Sequence, residues 1–506
     1  MKNKKLLPAL LLLGVIGLTA WQMNSDSSLT KTTKKYDVDT ATAAIDILPQ
    51  VLELNGDDKY KPVTDFRPGN VTTAKIDHYY KKTADGYCIQ LPSTTNIPTP
   101  SVINGTVYLS GGFGSKQYYA FDAVSGKNKW AINLDDDGPS SPAIADGMIV
   151  FNTESCTIFA CDTANGRPVW SYYLGDPLMS MPSIHNGIVF TSYPARYTGK
   201  ASTGQNNNAL FPSHVLIAIE LKTGKILWQK WIDSDIMSAP VAKDDLLYVT
   251  TFSGALYKVK EQTGEIIEAK AIRATSAPVF SSGNEIVVSR RDDNTANNAV
   301  GEAVVIGYGR KQKSVYKKEA AYLDMKVQDR SKLKGTAATA DAGNGFASGA
   351  PASANYTMAY SNIGQSNVSS LQSFQGSRTL YKNERLYNTM GDEIICTDSS
   401  GTVQWKHSLG GDIKSEGGFM GTPPVYANGY IIVATLKGEV LLFDEKKGEL
   451  IKTYNIQDPV RYQPVADNGW IFVTTVNSKM YAINTGNPAI TGWNMWGGNA
   501  ARTNEN

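Results

Sequence analysis

Ala120-Phe-Asp122-Ala-Val-Ser-Gly126-Lys-Asn-Lys-Trp130 is followed 40 residues later by Ala160-Cys-Asp162-Thr-Ala-Asn-Gly166-Arg-Pro-Val-Trp170, and again by Ala218-Ile-Glu220-Leu-Lys-Thr-Gly224-Lys-Ile-Leu-Trp228. The three segments align without gaps as A-x-[DE]-x-x-x-G-x-x-x-W, and repetition at a fixed period marks an architecture assembled from copies of one supersecondary unit. Each position has a physical task. The acidic residue and the glycine four later form a hairpin turn, with Gly taking the positive φ that other residues resist. The tryptophan opens the outgoing strand, where a flat indole suits packing between adjacent sheets and its N–H finds a backbone acceptor. That task is structural, not catalytic.

Upstream of each motif stand a proline and two short apolar strands, as in Ser141-Pro142-Ala-Ile, Met148-Ile-Val-Phe151 and Thr157-Ile-Phe-Ala160. Proline fits the first residue of an innermost strand, where no ladder donor is lost. The Trp register continues past Trp228, which follows an insertion near Tyr193 to Ser213, through Glu268, Tyr316, Trp405, Lys452 and Trp493. That spacing predicts eight units. About 40 residues hold four strands of five or six residues with their turns, which is one blade of a β-propeller. The expected fold is all-β, an eight-bladed ring of four-stranded antiparallel blades over residues 96–503.

Composition agrees. Of 506 residues 42% are apolar and 19% charged, with 45 Gly and 26 Tyr, a profile of many short strands and tight turns. Lys2, Lys4 and Lys5 precede an apolar run from Leu6 to Trp21, so residues 1–23 read as a secretory signal peptide or an N-terminal anchor. The chain is therefore expected in the periplasm or outer cell envelope. The formal charge of +2 includes those three lysines, and the near-neutral remainder excludes a general attraction for nucleic acid. Membrane contact is expected only through an uncleaved anchor.

The eleven-residue motif resembles the tryptophan-docking motif of quinoprotein alcohol dehydrogenases. Trp493-Asn-Met-Trp496-Gly-Gly-Asn499-Ala-Ala-Arg502-Thr503 resembles the W-x-M-[FW]-x-x-[ND]-x-x-R-T element that accompanies such rings. The chain is thereby similar to the PQQ-like β-propeller repeat proteins over about Thr99 to Thr503. That family holds PQQ-dependent dehydrogenases and also non-enzymatic scaffolds of outer-membrane β-barrel assembly. The resemblance assigns blade docking to Trp130, Trp170, Trp228, Trp405 and Trp493 with Gly126, Gly166 and Gly224. The adjacent cysteines that usually cover PQQ in the enzymes do not occur here, and neither does a haem motif.

Loops entering each inner strand gather at one mouth of a propeller channel. Here they carry Asp135, Asp136 and Asp137, Asp176, Asp233 and Asp235, Lys414 to Glu416, and Asp458 with Arg461. Asn152 and Glu154 lie in the neighbouring hairpin and supply hard oxygens suited to a cation such as Ca²⁺. The plainer reading of these acids is as turn formers and hairpin caps. Met179, Met181, Met237 and Met420 fall near equivalent places, as a soft metal set or, more simply, as channel wall. His78, His185, His214 and His407 stand in different repeat contexts and suggest no shared site. Of Cys88, Cys156, Cys161 and Cys396, the last two read as small buried apolar residues.

Two regions lie outside the repeat. Residues 24–95 begin as a Ser/Thr/Lys-rich tether and end in a strand-like Tyr87 to Leu91 placed to help close the ring; residues 329–376 form an Ala/Gly/Ser/Asn-rich insertion. The expected function is a non-catalytic scaffold binding a protein or peptide in the envelope, with no cofactor. The alternatives are a PQQ- and Ca²⁺-dependent dehydrogenase and a carbohydrate-binding propeller.

Overall fold

The computed structural model describes residues 43–57, 61–62, 66–154, 157–174, 180–195, 212, 214–292, 301–307, 313–319, 379–411 and 420–504. Cys156, Asp176, Met179, Lys414 to Phe419 and the insertion at 329–376 lie outside them. Eight antiparallel sheets follow one another along the chain. Blades 1 to 4 occupy residues 101–134, 143–173, 183–232 and 241–271, and blades 5 to 7 occupy 279–319, 379–408 and 425–455. Blade 8 takes Val465–Asp467, Trp470–Thr474 and Lys479–Asn484, and its fourth strand is Gly86–Gln90 from the other end of the chain. No described helix is long and apolar enough to cross a membrane.

The repeat motif acts as its chemistry requires. Gly126, Gly166 and Gly224 sit at φ +67°, +72° and +74°, and each donates its N–H to the carbonyl of the acidic residue four before it, Asp122, Asp162 or Glu220, at 2.8–2.9 Å. The indole of each tryptophan then lies on the turn glycine of the next blade. A Cβ on Gly166 would stand 2.9 Å from Trp130, one on Gly224 2.8 Å from Trp170, and one on Gly448 would collide with Trp405. Trp130, Trp170, Trp228 and Trp405 donate Nε1–H to the carbonyls of Thr163, Leu221, Glu261 and Glu445 at 2.9, 2.7, 2.6 and 3.0 Å. Apolar contact and a satisfied indole thus join blades 1 to 2, 2 to 3, 3 to 4 and 6 to 7.

Trp493 does not hold the eighth such position. In the other sheets the docking residue pairs with the third strand, as Trp130 does with Ala120 and Trp405 with Cys396; in blade 8 the residue opposite Ala482 is Tyr87. Tyr87 lies against Gly126, where a Cβ would come within 2.8 Å of its ring, and its hydroxyl donates to the Ala123 carbonyl at 2.7 Å. Closure therefore comes from a tyrosine nearly 400 residues from its strand partner. Trp493 instead bridges Ala466 on the innermost strand of blade 8 and is fully buried.

Residues 493–504 continue from there across the inner strands. Asn494 exchanges two bonds with Val102 of blade 1, Ile184 of blade 3 donates to the Ala500 carbonyl, and Ala242 of blade 4 donates to Ala501. The C-terminal segment thus ties inner strands that are remote in sequence.

A second tie runs around the outside. The helix Ala43–Asn55 buries Leu48 and Val51 in the cluster holding Trp228, and Leu54 in the cluster holding Trp170. Asn55 exchanges two bonds with the Trp231 backbone at 2.9 and 2.8 Å. Arg67 then bridges Tyr173 at the edge of blade 2, Val71–Thr73 pairs with the edge strand Asn128–Leu134 of blade 1, and Tyr80–Thr83 leads into blade 8. This strap covers the outer edges of successive blades.

Candidate functional site

The mouth loops and the adjacent hairpins place the carboxylates at the joints between blades. Asp136 Oδ2 accepts from the hydroxyls of Thr153 and Thr157 at 2.6 and 2.7 Å, so the loop entering blade 2 is clasped to that blade's own hairpin. The Asp137 carbonyl accepts the Glu154 N–H at 2.8 Å. Asp135 Oδ2 accepts the Asn70 N–H at 2.7 Å, which fastens the strap to the mouth. Asp235 Oδ1 accepts from Ser192 Oγ at 2.7 Å and from the Ile236 N–H at 2.8 Å.

Two more acids repeat the clasp of Asp136. The fully buried Asp233 accepts from Tyr257 at 2.8 Å, from Thr251 at 3.1 Å and from Ser253. Burial raises its carboxyl above the ordinary range and the three hydroxyls pull it back. Asp458 takes Tyr481 at 2.5 Å, Asn477 at 2.9 Å and Lys479 at 2.9 Å; burial raises its carboxyl, but these partners outweigh it and hold the group below the usual value. An acid on an incoming loop, answered by donors of the following hairpin, is the recurring construction at this face.

Asn152 and Glu154 bond toward different blades. The buried Asn152 amide donates to Ser180 and Thr191 toward blade 3, at 2.6 and 2.7 Å. Glu154 Oε2 accepts the Gly114 N–H at 2.8 Å, toward blade 1. Asn152 is thus tied toward blade 3 and Glu154 toward blade 1, and no step through PQQ or Ca²⁺ is assigned to them. Arg461 is buried, and its charge opposes the burial that pushes the neighbouring Tyr462 up to about 12.

The methionines also separate. Met237 and Met420 are buried, and Met420 belongs to the cluster of blades 6 to 8 while Met181 packs in that of blades 4 and 5. Cys88, Cys161 and Cys396 are free, buried thiols, with burial pushing Cys161 to about 12 and the others to about 11. Among the histidines, His214 is fully buried, His407 stands 5.2 Å from Phe443, and His185 Nδ1 lies 2.5 Å from the buried Glu261 carboxylate.

On the opposite, turn-bearing face a cavity of about 620 Å³ opens over the C-terminal segment. Asp146, His185, Asn186, Lys243, Asp244 and Asn499 supply its polar wall, and alanines and Ile184 its floor. None of the mouth residues lines it. Its residues come from turns of blades 2, 3 and 4 and from the chain end, so no contiguous motif announced it.

Comparison with known proteins sets this geometry in context. A family model described as outer membrane protein assembly factor BamB matches residues 73–319, 358–451 and 390–496. A relative described as outer membrane protein assembly factor BamB, from Moranella endobia (strain PCIT), is 23% identical over 314 residues, covering 57% of this chain and 73% of its own. Among solved structures, Sqt1 of Saccharomyces cerevisiae superimposes with a TM-score of 0.51 at 10% identity, over 78% of this chain and 97% of its own. BamB from Moraxella catarrhalis gives 0.49 at 12% identity, over 82% and 97%. At such identity the match to Sqt1 shows the ring fold alone.

Proposed function

The chain belongs to the family whose model is described as outer membrane protein assembly factor BamB, and on that premise we propose that it is a non-catalytic scaffold of the bacterial envelope, holding a protein or peptide partner during outer-membrane assembly. The observation that carries this reading is the use made of the mouth side chains. Asp136, Asp233 and Asp458 are spent on holding loops to hairpins, and Asp235 ties its loop to Ser192 of blade 3, which fixes a rigid rim rather than aiming acids at a substrate. A rigid ring presenting shaped loops is suited to recognition with little ordering cost.

The exposed parts of that rim, such as Lys116 and Asp135, are where a partner would rest. A photo-crosslinking residue at Lys116, in chain expressed with its own leader, is expected to trap an envelope assembly protein. Cytoplasmic fractionation of the chain, or crosslinks to no envelope assembly protein, would overturn the proposal.

A further inference from the structure

Arg502 brings a full positive charge into the ring interior, where its side chain is completely buried. Nε and Nη2 donate to the Pro182 carbonyl at 3.1 and 3.0 Å, Nη1 donates to the Trp496 carbonyl at 2.7 Å, and the guanidinium stands 5.7 Å from the Trp496 ring centroid. These bonds occupy three of five N–H groups, and every acceptor is neutral. A buried cation is ordinarily matched by an anion, because desolvation is otherwise uncompensated. Among the described residues no carboxylate forms an ion pair with Arg502. Burial lowers the guanidinium to about 9, and Tyr118 is the group that opposes this.

The surrounding side chains are of one kind. Tyr118 Oη, Ser183 Oγ, Ser238 Oγ and Trp496 Nε1 are each more than nine-tenths buried, and none has a hydrogen-bond partner among the described residues. Ser183, Ser238 and Trp496 belong to one neighbourhood, and Tyr118 packs in the cluster that holds Met495 and Ala500 of the same C-terminal segment. Ser183 follows Pro182, whose carbonyl holds Arg502; the Ser238 carbonyl accepts the N–H of Met181, just before Pro182; Trp496 lies under the guanidinium. Guanidinium and indole N–H groups can only donate, and the hydroxyls have protons to give, so what complements the set is an acceptor carrying negative charge.

We propose that Arg502, with Tyr118, Ser183, Ser238 and Trp496, forms an interior site for one small monovalent anion of the halide class. Such an ion balances the guanidinium and locks the C-terminal segment against blade 3. It is independent of the scaffold role proposed above, since it concerns the ring interior and not the rim.

Crystals grown in sodium bromide are expected to show an anomalous peak in contact with the Arg502 guanidinium and Tyr118 Oη. At constant ionic strength, replacing gluconate by chloride or bromide should raise the unfolding temperature saturably. Tyr118→Phe, which keeps the ring, should weaken the apparent halide dissociation constant about tenfold or more, as loss of one charged hydrogen bond implies. Arg502→Met should abolish the halide dependence; if that variant does not fold, Tyr118→Phe decides. No anomalous peak, equal midpoints in gluconate and halide, or an unaltered halide response in Tyr118→Phe would overturn the site.

Discussion

The outer rim of the ring is finished in two ways. From blade 4 back through blades 3, 2 and 1 to blade 8, the strap lies on the edges: the helix Ala43–Asn55 on blades 3 and 4, Arg67 on blade 2, Val71–Thr73 on blade 1. On blades 5, 6 and 7 no described strand pairs with the edges Lys313–Glu319, Val403–Ser408 and Leu450–Asn455. The covered edges carry Ile132, Leu134, Trp231 and Ile232 in buried positions. The open ones carry Lys313, Lys317, Lys406 and Lys452, and the new edge at Tyr80–Thr83 carries Lys81 and Lys82. A lysine on an exposed edge opposes pairing with another strand. Lysines stand on the covered edges as well, at Lys129, Lys230 and Lys270, so the strap is what distinguishes the two halves, and charge is the protection left to the open one.

Four experiments test this contrast. The docking interaction should dominate on the covered side. Trp170→Ala, which empties the space over Gly224 and removes the bond to Leu221, is expected to lower stability by about 3–5 kcal/mol in denaturant unfolding. A loss below about 1 kcal/mol would mean that the strap, and not the indole, holds blades 2 and 3.

Acid should strike the covered half next. His214 opens a strand of blade 3 and is fully buried, and burial holds its imidazole down at about 3. Its folded value lies below its unfolded one, so its contribution is complete above about pH 6.5 and fades as pH falls toward 3. Stability should drop by about 1.4 kcal/mol per pH unit below 6 from this group, roughly 2–3 kcal/mol by pH 4.5. The slope in His214→Phe should be correspondingly shallower; identical slopes would place the acid sensitivity elsewhere.

Releasing the helix comes third. Val51→Asp puts a carboxylate into the apolar groove beside Trp228, at a cost capped by the helix undocking, about 2 kcal/mol. The Trp231 amide, which donates to Asn55 Oδ1 at 2.8 Å, should then exchange with solvent much faster, while amides in blade 7 keep their rates. Unchanged protection at Trp231 would show that the strap does not guard that edge.

The smallest effect belongs to the open side. Lys452→Val, beside the exposed Leu450 and Ile451, should change stability by less than about 0.5 kcal/mol yet increase self-association in sedimentation. A variant that stays monomeric at high concentration would argue that the lysine does not protect the edge.

The docking tryptophans and their glycines were legible because indole, turn and glycine act within one repeat and its neighbour. The mouth acids were legible as turn and hairpin devices; that Asp233 and Asp458 share the clasp of Asp136 required seeing which hairpin lay beneath each loop. The helix at Ala43–Asn55 left a signal in Leu48, Val51 and Leu54, three apart on one face, but Pro49 interrupts it and the Ser/Thr/Lys-rich lead-in disguised it. The expected strand at Tyr87 to Leu91 lies at Gly86–Gln90, and Trp493, in register by spacing, instead bridges the innermost strand of blade 8.

What the sequence determined by itself is the blade, since turn chemistry, strand alternation and the Trp–Gly contact operate over about 40 residues. What only the tertiary structure decided is how the ring is shut: Tyr87 on Gly126, Ala482 opposite Tyr87, Arg502 under blade 3, the strap along the rim. Those contacts join residues tens to hundreds of positions apart, where the cost of loop closure has already been met by the folded blades and no local pattern records which partners will meet.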